Sequence, residues 1–312
     1  MKVFGKKKRK TAKDPARGEF GATMRPWLTV AATLTVMAGV SLGVLVGVPV
    51  LQGKLSDQAA SHPVKVAFEW PRLGTPAGKP AGNAETWLPT LVQGDLLAAT
   101  QKELDRDPDP FRGSGLQKVA EIAAGSGWFE QITAVRREPG GVVKVEGQWR
   151  IPAAVVRLQG VDHLVARKGE VLPLAFERGG STLRAIIGAQ QTPPAAGGQF
   201  IPGSVWPGAD VRAGLDLLAV ISSRPWQDQV AAIDVSAYQT KKQLVIVTQS
   251  GGRIVWGGAI NESIPGQVPA EVRLKRLDVL QHQYGAIDAR HRVVEVAGPR
   301  TLVDDSATAN AS

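Results

Sequence analysis

The segment 128–149 reads WFEQITAVRREPGGVVKVEGQW, and it predicts a β-hairpin. Strand-like runs at 132–137 and 142–149 flank the four residues Glu138-Pro139-Gly140-Gly141. The two glycines suit a turn that needs positive φ angles. The hairpin therefore forms the end of a folded unit that begins further upstream.

The residues before the hairpin predict one strand and two helices. Apolar and polar residues alternate over 64–70, as in a half-buried strand, and 72–84 is a Gly/Pro/Ala-rich loop. Near-helical spacing of apolar residues follows at 89–104 and at 115–124, where Gly125 suits the helix end. The order strand, helix, helix, strand, strand predicts a compact α+β unit over 64–150.

Strand-like runs dominate the chain beyond residue 150, which predicts a β domain over 151–303. One helix is expected at about 269–283 and a last strand near 286–296. The Pro/Gly-rich stretch 192–208 predicts a long loop, and 304–312 a disordered tail. The other expected strands lie at 154–158, 163–166, 170–176, 231–235, 243–248 and 253–256.

The N-terminal part has the pattern of a membrane anchor. Residues 1–26 contain nine basic and two acidic residues, whereas the rest of the chain has 28 basic and 26 acidic residues. No charged residue occurs from 26 to 53, and the apolar run 27–51 would span about 37 Å as a helix, enough for a ~30 Å hydrocarbon core. We therefore expect a cytoplasmic basic tail at 1–26, a single transmembrane helix at 27–51, a tether at 52–63 and a periplasmic remainder. Gly39, Gly43 and Gly47 share one face of that helix and suggest close helix packing, although glycine is also common in membrane helices.

Two other interpretations of this N-terminal part fit the sequence less well. A cleaved signal peptide would have an apolar region of only ~7–15 residues, shorter than the run at 27–51. The basic run at 6–10 also resembles a nuclear-localisation or nucleic-acid-binding patch. A nucleic-acid-binding domain would spread its positive charge over a folded face, so we expect no nucleic acid as a partner.

The sequence offers few candidates for catalytic or metal-ligating residues. The chain has no Cys, which excludes a disulfide scaffold, a Cys-based zinc site and a thiol nucleophile. Its four His residues lack metal-ligand spacing, and the alternating Asp105, Asp107 and Asp109 have Pro110 and Leu116 where a calcium loop needs Gly and Glu. We therefore expect no enzyme activity, metal, cofactor or small-molecule substrate.

Several short segments, in a common order, resemble the bacterial cell-division protein family FtsQ (DivIB). They are WFEQITAVRR at 128–137, WRIPAAV at 149–155, HLV at 163–165, GEVLPL at 169–174, GGRIVWG at 251–257, RLKRLDVL at 273–280 and IDAR at 287–290. The resemblance implies an α+β fold in which a transmembrane helix precedes a POTRA-like β-α-α-β-β domain and a mainly antiparallel β domain. It also implies a location in the cell inner membrane at the division septum.

The same resemblance implies a scaffold without catalytic residues that helps control septal peptidoglycan synthesis. Its partners would be bitopic coiled-coil proteins of the FtsB/FtsL type and other divisome components. The partner-binding candidates are Arg273, Arg276, His291, Val293 and Val294, on the helix and on a last strand that we expect at a sheet edge. Composition alone favours the other interpretation, in which the valines fill the core and both arginines are solvated.

Two other functions stay open at this point. The chain could be a POTRA-containing envelope protein with a role in secretion or outer-membrane assembly. It could also be a membrane-anchored, peptidoglycan-active enzyme, because catalytic carboxylates need not lie close in sequence.

Overall fold

The computed structural model describes residues 41, 44–51, 64–71, 86–106, 113–290 and 292–304. The chain divides into two compact units, Met1–Pro63 and Val64–Ser312. The second unit is α+β and is built around a large β-sheet.

The described part of the first unit is a short helical segment. Residues 44–51 are helical, which corresponds to a length of about 12 Å. Across the described ranges, no helix combines the length and the apolar character that a membrane span requires. The transmembrane helix predicted at 27–51 is thus not shown, and the fold class is corrected on this point. Gly47 has open space around its Cα, while Gly39, Gly43, the tail 1–26 and the tether 52–63 lie outside the described residues.

The second unit begins with the predicted order of strand, helix, helix, strand, strand. These elements are β1 (Lys65–Phe68), α1 (Thr90–Arg106), α2 (Ser114–Gly125), β2 (Phe129–Glu138) and β3 (Val142–Trp149). They form a three-stranded sheet of order β1-β3-β2, in which β1 is parallel and β2 antiparallel to β3. At the hairpin turn, Gly140 and Gly141 have φ angles of 89° and 79°, as their sequence predicts.

The two helices cover this small sheet. Val143 and Val145 of β3 are buried, and since they are two residues apart they point to the same face. They belong to one apolar cluster with Leu96 of α1 and Val119 of α2. The amphipathic spacing that predicted the helices therefore corresponds to real packing.

The rest of the unit forms a nine-stranded sheet of order β14-β13-β12-β11-β10-β7-β4-β5-β6. Five neighbouring pairs are antiparallel and three are parallel, so the sheet is mixed. Its strands are β4 (Pro152–Leu158), β5 (Val161–Ala166), β6 (Val171–Glu177), β7 (Ala185–Ile187), β10 (Val230–Asp234), β11 (Leu244–Thr248), β12 (Arg253–Gly257), β13 (Val293–Glu295) and β14 (Leu302–Asp304). The helices of this part are α3 (Ala209–Ile221), α4 (Tyr238–Lys241) and α5 (Ala270–Tyr284).

Apolar side chains are buried on both faces of the large sheet. Val156 of β4 belongs to a cluster that includes Leu217 of α3 and Leu277 of α5. Its neighbour Val155 points the other way and belongs to the cluster that also contains Val145 of the small sheet. The two sheets therefore share an apolar core within one compact unit.

Four elements of the large sheet and of the helices packed on it are absent from the sequence prediction. They are the helices α3 and α4 and the short strands β7 and β14. Within the predicted long loop 192–208, the chain forms a two-stranded hairpin, β8 (Ala195–Ala196) with β9 (Gln199–Phe200). The predicted loop 72–84 and the end of the tail, 305–312, lie outside the described residues.

The predicted last strand, 286–296, is much shorter than expected. Residues 287–290 form a turn in which Ala289 and Arg290 have φ angles of 47° and 67°, so only Val293–Glu295 pairs as a strand. This strand, β13, lies between β12 and β14. The prediction that it forms a sheet edge is wrong, because the chain returns after it to add β14 on the outside.

A buried carboxylate holds the turn at 287–290 in place. Asp288 is 1% exposed, and its Oδ2 accepts hydrogen bonds from Thr248 Oγ1 (2.7 Å) and Ser250 Oγ (2.5 Å). The backbone passes so close that a Cβ on Gly252 would lie 2.3 Å from Asp288 Oδ2. Two of the segments that carry the family resemblance, 251–257 and 287–290, therefore meet at this point.

We predict that Asp288→Ala lowers the free energy of unfolding by about 2 kcal/mol, because the hydroxyl of buried Thr248 and that of exposed Ser250 both lose their acceptor. Chemical denaturation of the purified chain measures the change. Asp228→Ala serves as the matched control, since the Asp228 side chain is 92% exposed and should leave the stability unchanged. Equal stability of the two variants would contradict the structural role of Asp288.

Candidate functional site

The candidate site is a groove between α5 and the edge strand β14. Helix α5 starts after Pro269 and ends at Gly285, which adopts the left-handed conformation typical of helix ends. Leu274, Leu277 and Leu280 are buried against the large sheet. Because these three positions lie on one stripe of the helix, the opposite stripe faces outward.

Arg273 is a buried structural residue of this helix. It is 1% exposed, and its Nε donates to the Val268 carbonyl at 2.7 Å. Its Nη1 lies 3.2 Å from the carbonyl oxygens of both Trp256 and Gly258, and the guanidinium lies over the Trp256 ring. Burial lowers the pKa of Arg273 from its ordinary value, since the charged form loses water. The guanidinium therefore joins the start of α5 to the end of β12.

Arg276 makes a second set of carbonyl contacts, one turn further along α5. Its Nη1 donates to the Val296 and Gly298 carbonyls at 2.7 and 2.6 Å, and its Nη2 donates to the Pro299 carbonyl at 2.8 Å. These carbonyls belong to the segment that connects β13 to β14. Arg276 therefore positions the edge strand relative to the helix, while its half-buried side chain also lines the groove.

The groove has a volume of about 360 Å³ and combines apolar with cationic surface. Val279, which is 61% exposed, and Val272 provide apolar surface on the α5 side. Its lining residues are Val272, Lys275, Arg276, Val279, Leu280, Gln283, Tyr284, Thr301 and Val303. Such a surface suits a partner segment that carries both apolar and acidic side chains.

Strand β14 forms one edge of the nine-stranded sheet. Val303 pairs with Val294 of β13, and in the described part of the chain no strand pairs with the other side of β14. Leu302 on this strand is 58% exposed. A sheet edge can bind an extended segment through main-chain hydrogen bonds, with side-chain pockets providing selectivity.

The structure changes the roles of the predicted partner-binding residues. Arg273 and Val294 are buried in the core and are not available to a partner. Val293 is half-buried in β13, whose two sides are already paired, and His291 lies outside the described residues. Arg276 alone among the described candidates lines the groove.

Sequence reasoning missed the exposed apolar residues of the groove. Val272 and Val279 are seven residues apart, a spacing that places them on the same side of one helix. The spacing alone could therefore have predicted this apolar surface. Leu302 and Val303 were not identifiable as an edge, because three residues are too short a run to predict a strand.

The chemistry that this geometry offers is binding through main-chain pairing, apolar contact and positive charge. Within the described ranges, no group of three or more His, Asp or Glu side chains is placed to hold a metal ion. Neither a scan of the chain against protein-family models nor a search of curated proteins finds a match. The resemblance to the FtsQ family therefore stays a prediction from the sequence.

We predict that Arg273→Met lowers the free energy of unfolding by about 3 kcal/mol, because three carbonyls in or near the core lose a charged donor. Arg276→Met should cost less, about 1 kcal/mol, since one of its contacts is exposed. Denaturant titration separates the two, with Arg178→Met at an exposed position as the control. If Arg273→Met kept full stability, the guanidinium would not be a structural clamp.

Proposed function

We propose that this chain is a binding scaffold of bacterial cell division. It links division proteins at the septum and helps to control septal peptidoglycan synthesis through protein–protein contacts. The partners that bind it are coiled-coil division proteins of the FtsB/FtsL type and other divisome components.

The observation that carries this proposal is the groove beside a sheet edge. An arginine of α5 fixes the segment before β14, and exposed Val279 and Leu302 provide apolar surface on the helix and on the strand. Exposed apolar side chains beside an unpaired strand edge are a liability unless another chain covers them. This arrangement supports a role in which a partner segment adds to the sheet.

The sequence resemblance supports the nature of the partner. The segments at 251–257, 273–280 and 287–290, which resemble the FtsQ family, make up β12, most of α5 and the turn before β13. Helix α5 lines the groove, and β12 pairs with β13, the strand next to β14. We therefore place the partner-binding surface on the outer side of α5 and on β14, instead of on Arg273, Val293 and Val294.

Fluorescence imaging of a fusion protein in dividing bacteria tests the proposed function. We expect the signal to concentrate at the septum during constriction. A uniform signal throughout the cell cycle would contradict a division role. Measurable hydrolysis of purified peptidoglycan by the purified chain would contradict a scaffold without catalytic function.

We predict that Val279→Lys and Val272→Lys each weaken the capture of the FtsB/FtsL-type partner by roughly tenfold or more, since each places a charge on the apolar lining of the groove. Isothermal titration calorimetry with the purified partner domains measures the affinity. Leu91→Lys on α1 is the matched control, because Leu91 is 75% exposed and does not line the groove. Wild-type affinity in both groove variants, with the fold verified by circular dichroism, would exclude the groove as the binding surface.

A further inference from the structure

A second, larger cleft lies where the small sheet meets the large one. It has a volume of about 450 Å³ and is bordered by the start of β2, the ends of β3 and β5, the start of β4 and α3. In the large sheet, β4 is six strands away from β14. At about 4.8 Å per strand this corresponds to roughly 30 Å, so the cleft and the groove at α5 are separate sites.

Positive charge surrounds this cleft. Four cationic side chains and two carboxylates line it, which leaves an excess of two positive charges. Arg167 is exposed and forms no hydrogen bond or ion pair with a described residue. The cations are Arg150, Arg167, Lys168 and Arg184, and the carboxylates are Glu130 and Glu170.

The base of the cleft is held rigidly by Arg150. Its Nη1 donates to the Gly127 carbonyl at 3.0 Å and to the Phe129 carbonyl, and its backbone N–H donates to the Trp128 carbonyl at 2.8 Å. Glu170 Oε1 lies 3.8 Å from Arg150 Nε. These contacts fix the β3–β4 connection against the start of β2 before any ligand binds, which lowers the entropic cost of binding.

The apolar part of the cleft extends from its interior to its mouth. Leu215 and Leu218 of α3 are buried on one wall, and half-buried Trp149 lies on another. Ile151, between β3 and β4, is 65% exposed at the mouth. A small ligand held inside would leave Ile151 in water, and a flat membrane surface would not reach the recessed leucines.

We propose that this cleft binds a peptide segment of a partner protein in which acidic residues alternate with large apolar ones. The apolar side chains enter between Trp149 and α3 and cover Ile151. A carboxylate of the segment pairs with Arg167 on the rim, next to Lys168, whose Nζ already forms an ion pair with Glu130. The chain would then hold two partner segments at the same time, one here and one at the α5–β14 groove.

Fluorescence anisotropy on the full chain tests this site. The probe is a fluorescein-labelled octapeptide in which Glu and Asp alternate with Leu and Phe, and the matched probe has Gln and Asn at the acidic positions. We expect saturable binding of the acidic probe, and at least roughly tenfold weaker binding of the amide probe. The Trp149 indole N–H signal, assigned in ¹⁵N NMR spectra with Trp149→Phe, should shift on titration.

Charge reversal then locates the contact. The variant Arg167→Glu should bind the acidic probe at least about tenfold more weakly at an unchanged melting temperature, because the Arg167 side chain is exposed. Lys118→Glu, an exposed position on α2 outside the cleft, should bind like the wild type. Equal losses in both variants would mean unspecific charge attraction and would overturn the proposal.

Two further outcomes would also overturn it. One is the absence of saturable peptide binding to the wild-type chain. The other is binding of phosphatidylglycerol vesicles that depends on Arg167 while the peptide does not bind. Either result would leave the α5–β14 groove untouched, because that site shares no lining residue with this cleft.

Discussion

The large sheet must be covered on both faces, and this constraint determines most of the architecture. Val155 and Val156 point to opposite sides of β4, and each is fully buried. Helices α3 and α5 cover one side, while the small sheet with its two helices lies on the side of Val155. A strand with apolar residues on both faces loses stability wherever water reaches either side. The cleft opens where the small sheet meets the large one, and the groove opens between α5 and β14.

The two arginines on α5 show how one helix serves both the core and the surface. Arg273 is enclosed and donates to three carbonyls on two segments of backbone, so its charge contributes to the fold. Arg276, three residues further on, bonds to the connection that leads into β14. An edge strand of only three residues needs such support, because short edge strands fray easily. The position of the edge thus depends on a polar contact with the helix behind it.

Local patterns predicted the small unit well because its signals lie close together in the sequence. The glycines at 140 and 141 marked the hairpin turn, and Gly125 ends a helix as expected. Helix α3 was missed although Val211, Leu215 and Leu218 follow a helical spacing, since the Pro/Gly-rich residues before it favoured a loop. The burial of Arg273 could not be read from the sequence, because its acceptors at 256, 258 and 268 come together only in the fold. The sheet edge could not be predicted from the sequence either, because it forms only when 302–304 pairs with 293–295.

In the proposed function, a partner segment binds across α5 and β14. Amide hydrogen exchange of the chain, with and without the purified FtsB/FtsL-type partner, tests it most directly, since strand addition protects main-chain N–H groups. The expected result is slower exchange at 302–304 and along the outer side of α5 on complex formation. Unchanged exchange in both segments, in a complex whose formation is verified independently, would contradict the claim.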